Sequence, residues 1–85
     1  MGDVAVTLKV MPEDKEIDLN EIGGEIESLY DPREIDEEEV AFGLKALKVL
    51  VVVPEDAGGS DELQESIQEI EGVKSVQVTD QRKLL

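Results

Sequence analysis

The chain has 85 residues, of which eight are Lys or Arg and twenty-two are Asp or Glu, for a formal net charge of −14. That length suits a single domain with one modest core, and that charge repels nucleic-acid phosphates and anionic membranes while suiting a basic protein partner. There is no Cys and no His, which excludes disulfides, thiolate or imidazole metal sites, and Cys–His or Ser–His nucleophilic catalysis.

Tyr30 and Phe42 are the only aromatics in a sequence that is 40% apolar, so the core is expected to be aliphatic, shaped by Val, Ile and Leu. The regular patterning of those residues argues against disorder; salt adaptation is a second explanation of the charge. The opening "MGDVAVTLKV" lacks the basic start and long apolar run of a signal peptide. No apolar run approaches the roughly 20 residues that span a bilayer, and the expected location is cytoplasmic.

In chain order, residues 3 to 11 alternate, with Val4, Val6, Leu8 and Val10 on one face and Ala5, Thr7 and Lys9 on the other, the period of a half-buried strand that Pro12 ends. Asp18 and Glu21 stand as N-cap and capping-box partner for a helix over 19–30. Its apolar stripe is Leu19, Ile22, Ile26 and Leu29, and Pro32 marks its limit. Gly23 and Gly24 each cost that helix about 1 kcal/mol relative to Ala, and close packing of helix on sheet is the favoured reason for them. Residues 34–41 lie in an acid-rich stretch, "DPREIDEEE" followed by Val40 and Ala41, and are read as an edge strand protected by charge. From Gly43 to Pro54, "GLKALKVLVVVP" begins by alternating and becomes continuously apolar, as befits a central strand.

"AGGS" at 57–60 reads as a turn leading into a second helix capped by Ser60, with Asp61 and Glu62 in its first turn, a stripe of Leu63, Ile67 and Ile70, and a stop at Gly72. "VKSVQVTDQRKLL" closes the chain as a strand with Val76 and Val78 inward and a basic, apolar tail. The order β-α-β-β-α-β predicts an α+β, ferredoxin-like sandwich: a four-stranded antiparallel sheet with two helices on one face, in strand order 4-1-3-2 if both crossovers are right-handed. Many unrelated functions use this fold, so the site must decide.

Most chemistry is excluded residue by residue. "AGGS" lacks the GxxxxGK[ST] context of a phosphate loop, and Glu55, Asp56, Asp61 and Glu62 around it repel an anion. RNA binding on such a sheet needs stacking aromatics and positive charge, both missing. The run Glu37, Glu38 and Glu39 reads as a solvated face rather than an acid–base pair or a divalent-metal site, since no fixed loop spacing accompanies it. Two features resist that reading. Phe42 precedes Gly43 at the head of a strand, where a core position is the ordinary destination and a projecting ring the other. "QRKLL" gathers Arg82 and Lys83 at the end of an acidic chain. Lys45 and Lys48 are read as lying on a mixed strand face, without a role.

Taken together, "VTLKVMPED...IDL" at 6–19, "AFGLKALKVLVVVPED" at 41–56, "DELQESIQEIEGVKSVQV" at 61–78 and the basic C-terminus resemble the translation elongation factor 1-beta family, most closely its short archaeal form. The resemblance implies a ferredoxin-like guanine-nucleotide exchange domain over 1–85, acting on the GTPase elongation factor 1-alpha. It implies no cofactor, no metal, no nucleotide site of its own, no direct contact with nucleic acid or membrane, and no bond-making chemistry. The family's Phe in an "FG[IL]K" context enters the partner's GTP-binding domain, and its match is Phe42, followed by Gly43. The family's Lys near the C-terminus is directed at the partner's magnesium and phosphates, and its match is Lys83, reached across a one-residue gap near Gly72. Two leucines follow it where the eukaryotic form has one residue, and Arg82 beside it stays an alternative.

Two readings from other classes stand beside this one. A stand-alone ferredoxin-like module that senses a small molecule would use the glycine-containing turns, and a small acyl phosphatase would need an arginine-bearing anion loop, which neither Arg33 nor Arg82 occupies.

Overall fold

The structure is a computed structural model that describes residues 2–55 and 59–84, with the backbone alone described at Phe42 and Gly59. Its elements are β1 (Asp3–Pro12), α1 (Leu19–Tyr30), β2 (Glu34–Glu39), a 3-10 turn (Ala41–Gly43), β3 (Lys45–Pro54), α2 (Gly59–Gln68) and β4 (Val73–Leu84). The strands form one antiparallel sheet in the order β2-β3-β1-β4, which is the expected 4-1-3-2.

Alternation in β1 sets the core. Val4, Val6, Leu8 and Val10 are buried together with Leu47, Val49 and Val51 of β3, and both helices close over that face through Leu19, Ile22, Ile26, Leu63 and Ile67. α1 lies over β3 and α2 over β4, while among the described residues the opposite face of the sheet carries no α-helix. The buried residues are aliphatic, and no described polar or charged side chain is buried with them. No helix among the described residues is long and apolar enough to cross a membrane.

The Asp18 carboxylate caps α1 by accepting the backbone N–H of Asn20 at 2.9 Å. Glu21 sits in the first turn, where its charge favours the positive end of the helix. At the other end Asp31 adopts a left-handed conformation (φ 49°) and its N–H bonds to the Glu27 carbonyl, before Pro32 prevents continuation.

Several boundaries differ from the expected ones for identifiable reasons. Leu29 is 52% exposed rather than buried, because Tyr30 and not Leu29 continues the line of Leu19, Gly23 and Ile26 toward the sheet, and Tyr30 packs against the core. β2 stops at Glu39 and β3 starts at Lys45, since residues 41–43 turn as a 3-10 helix instead of extending both strands. Ser60 lies inside α2, which begins at Gly59, so it is not the cap; the turn expected at Ala57 and Gly58 lies outside the described residues. α2 ends at Gln68, and the chain reaches β4 through a turn in which Val73 N–H bonds to the Ile70 carbonyl.

The two glycines of α1 separate. A Cβ at Gly23 would touch methyls of Ile35 and Leu47 at 3.9 Å, an ordinary contact, and a Cβ at Gly24 would meet nothing within 4 Å. Close packing therefore does not demand glycine at either position. Gly24→Ala is expected to raise unfolding free energy by about 0.5–1 kcal/mol through loss of unfolded-state entropy, seen as a higher urea midpoint with an unchanged slope.

Candidate functional site

Arg82 and Lys83 are adjacent in sequence, so a strand must send them to opposite faces; which goes where is decided by an irregularity in β4. Thr7 of β1 pairs with Asp80 and Leu8 pairs with Val78, leaving Thr79 as an extra residue on β4. This bulge inverts the side-chain alternation that follows it. Lys83 consequently pairs with Val4, on the helix-covered face, and Arg82 pairs with Ala5, on the bare face. Uninterrupted alternation from Val76 and Val78 would have transposed them. The Thr79 hydroxyl lies 3.4 Å from the Thr7 carbonyl, to which it donates across the bulge. A second extra residue, Lys74, follows from the pairing of Pro12 with Val73 and Met11 with Ser75, and its carbonyl accepts from the Gln68 side-chain amide at 2.8 Å.

Each of the two cations has its own carboxylate. Lys83 Nζ lies 3.2 Å from Glu55 Oε1 with its side chain 70% exposed, and Arg82 Nε bonds to Asp80 Oδ2, two residues back on the same strand face, at 3.0 Å. Glu55 is held in place by its own backbone N–H, which bonds to the Gly2 carbonyl at 3.0 Å. An exposed ion pair of this kind is worth at most about 1 kcal/mol, so the Lys83 ammonium is tethered weakly.

Phe42 sits in the 3-10 turn between β2 and β3. The Leu44 N–H bonds to the Ala41 carbonyl at 3.2 Å and the Val40 N–H to the Leu44 carbonyl at 2.8 Å, closing the loop on itself. Gly43 has φ +76°, yet a Cβ there would meet nothing within 4 Å. Glycine is thus required by backbone conformation and not by crowding. Gly43→Ala is expected to cost about 1 kcal/mol of stability despite the open space, measurable by chemical denaturation.

The structure does not bring these residues together. Lys83 is level with Val4, whereas the head of β3 begins beyond Leu47, the partner of Val10; at about 3.3 Å per residue the two places are roughly 25 Å apart along the sheet. Among the other lysines in question, Lys45 lies 3.7 Å from Glu37, and Lys48 pairs in register with Lys9 and Asp36 on the bare face.

Among the described residues no group of three or more Asp or Glu is placed to hold a metal ion. A groove of about 980 Å³ between α1 and α2 is open and is edged by six carboxylates, Glu16, Asp18, Glu21, Glu25, Glu69 and Glu71, an environment hostile to an anionic ligand. Among the described residues, Gly43 on the turn and Arg82 and Lys83 near a strand end are exposed and share no cleft, a layout of the docking-surface class rather than of a substrate pocket.

Comparison with known proteins gives that class its family. Residues 5–84 match the EF-1 guanine nucleotide exchange domain. Among relatives called elongation factor 1-beta, the Methanothermobacter thermautotrophicus protein is 46% identical with both chains covered completely. That of Natronomonas pharaonis is 44% identical over 92% of this chain and 93% of its own, and that of Halobacterium salinarum is 43% identical over 99% and 100%. The chain belongs to the EF-1 guanine nucleotide exchange domain family. The ACT domain of GTP pyrophosphokinase from Chlorobium tepidum superposes with a TM-score of 0.70 over 94% of this chain and 90% of that one, at 22% identity, a likeness of fold alone.

The bulge at Thr79 makes the placement of Lys83 testable. Deleting Thr79, the extra residue, should close the bulge and leave the pairs beyond it in place, so that nuclear Overhauser contacts to the Val4 side chain still come from Lys83; contacts from Arg82 in its place would overturn the register.

Proposed function

We propose that this protein promotes release of GDP from, and loading of GTP onto, elongation factor 1-alpha, with Phe42 as the docking anchor and Lys83 as the group that disturbs the nucleotide's magnesium. The observation that carries this reading is the family match over residues 5–84 in a chain whose family-type lysine stands exposed near the end of β4.

The chemistry requires no bond-making. An ammonium brought beside a bound Mg²⁺ competes for its phosphate oxygens and repels the ion, and Mg²⁺ bridges the phosphates in such GTPases. Lys83 is suited to this because its tie to Glu55 is exposed and cheap to break. A factor that binds the nucleotide-free partner best must weaken nucleotide affinity by the same factor, so exchange follows from linkage.

The separation of Phe42 from Lys83 divides the labour. An aromatic anchor on a turn supplies affinity, and the lysine spends part of that affinity on disturbing the nucleotide. Arg82, on the other face and held by Asp80, makes a peripheral partner contact. The regulatory-module alternative is disfavoured by the family match, and the fold it shares with an ACT domain does not argue for a bound effector.

The test is the release of a fluorescent GDP analogue from elongation factor 1-alpha with excess unlabelled nucleotide. Wild type should accelerate release. Phe42→Ala should raise the concentration for half-maximal rate about tenfold or more, the effect of removing a central aromatic anchor. Lys83→Ala should lower the maximal rate with little change in that concentration, as expected for a contact made only in the exchange state. A folded wild type that leaves the rate unchanged across salt and Mg²⁺ concentrations would overturn the proposal.

A further inference from the structure

The uncovered face of the sheet contains a charge arrangement that folding alone does not favour. Lys9 of β1 and Lys48 of β3 are direct register partners on adjacent central strands, and like charges directly opposite one another destabilise a sheet. The chain has twenty-two carboxylates and eight cations, and Lys48 already faces Asp36 on β2, so an acidic residue at position 9, whose other partner is the neutral Gln77, would have been the commoner and more stabilising choice. Neither ammonium has a carboxylate oxygen of a described residue within 4.0 Å, in contrast to Lys45, Arg82 and Lys83.

The surroundings turn this pair into a defined spot. Lys9 is half-buried between half-buried Thr7 and Met11 of its own strand, so its stem lies along the sheet. Gln77 is opposite Lys9 on β4, and Asp36 is opposite Lys48 on β2. Arg82 lies on the same face but is occupied by Asp80. The two lysines are a positive island with acids on its β2 side, where Asp36 faces Lys48.

We propose that Lys9 and Lys48 together receive a carboxylate of the GTPase partner, an acidic side chain that docks between the two ammonium groups on the bare sheet face. This rests on the exchange reading and adds a contact to it. The bordering carboxylates and the net charge of −14 disfavour a polyanion such as nucleic acid while leaving room for one acidic side chain. The acidic surface at large attracts a basic partner in many orientations; an island of the opposite sign admits few of them and so sets the register of the complex. The repulsion held in the unbound protein is relieved when the carboxylate arrives.

Lys9→Glu separates docking from folding, because it replaces a repulsive cross-strand pair by an attractive one. Thermal unfolding, sedimentation and calorimetric titration of nucleotide-free elongation factor 1-alpha would be measured for wild type, Lys9→Glu, Lys9→Gln, Lys9→Arg and Phe42→Ala. Lys9→Glu is expected to raise the midpoint of unfolding by a few degrees and to weaken binding about tenfold or more. Lys9→Gln should weaken binding less, and Lys9→Arg should bind like wild type. Binding by Lys9→Glu within twofold of wild type, while Phe42→Ala is impaired, would overturn this inference and leave the exchange reading standing. A wild-type dimer that Lys9→Glu dissociates would assign the site to a second copy and overturn it as well. Absence of wild-type binding would remove both.

Discussion

Everything in this molecule is referred to β1, which is hydrogen-bonded on both sides: to β3 from Asp3 to Val10 and to β4 from Asp3 to Pro12. A strand flanked in this way cannot slip by one residue without carrying Val4, Val6, Leu8 and Val10 out of the core, and burial of those side chains is worth about 1.5–3 kcal/mol each. The register of β1 is therefore fixed by hydrophobic burial, and the side chains of the proposed site inherit their positions from it. Lys9 is on the bare face because its neighbours Leu8 and Val10 are in the core. Lys83 is on the covered face because the β4 bulge delivers it opposite Val4.

That bulge also answers the exposure of a sheet edge. β4 is the outer strand on one side and runs twelve residues, long enough to invite pairing with another chain. Two extra residues, Thr79 and Lys74, break its ladder against β1, and such irregularities twist an edge away from association. At the other edge, β2 uses charge in place of irregularity, with five carboxylates in the six residues Glu34–Glu39. The cost is moderated because Asp36 faces Lys48 and Glu39 faces Lys45 across the pair.

Element order, sheet order and core were legible from patterning, because each depends on local period, capping residues and the handedness of crossovers. Asp18 signalled the start of α1, and period-2 alternation located β1 without ambiguity. What the sequence did not disclose depends on pairing between distant segments. Thr79 has no glycine or proline to mark a bulge; it arises from the fit of β4 to a strand more than seventy residues earlier. The opposition of Lys9 and Lys48 is likewise invisible until the register is known, although both lysines stand in quoted motifs. Leu29 was misplaced for a smaller reason: four apolar residues at helical spacing look equivalent until the sheet beneath them ends, and then Tyr30 is the residue nearer its centre. Glycine at 43 owes its place to the backbone: the space beside it is open, and the left-handed conformation is what excludes other residues.

The distance between Phe42 and Lys83 has a mechanical consequence. A rigid sheet that touches a partner only at one end can pivot, and a lysine at the distant end would sweep a wide arc, losing the orientation that makes its charge effective. Contacts near both ends remove that freedom, because the intervening structure is an antiparallel sheet with an aliphatic core and does not bend readily. A middle contact on the bare face of the sheet would fix the remaining rotation about the long axis. In such an arrangement the exchange factor need not change shape; it holds a charge at a fixed place relative to its anchor, and the partner must give way. On the proposed reading, the free energy for that displacement would come from binding at sites remote from the magnesium, the same economy by which remote binding energy supports catalysis in enzymes.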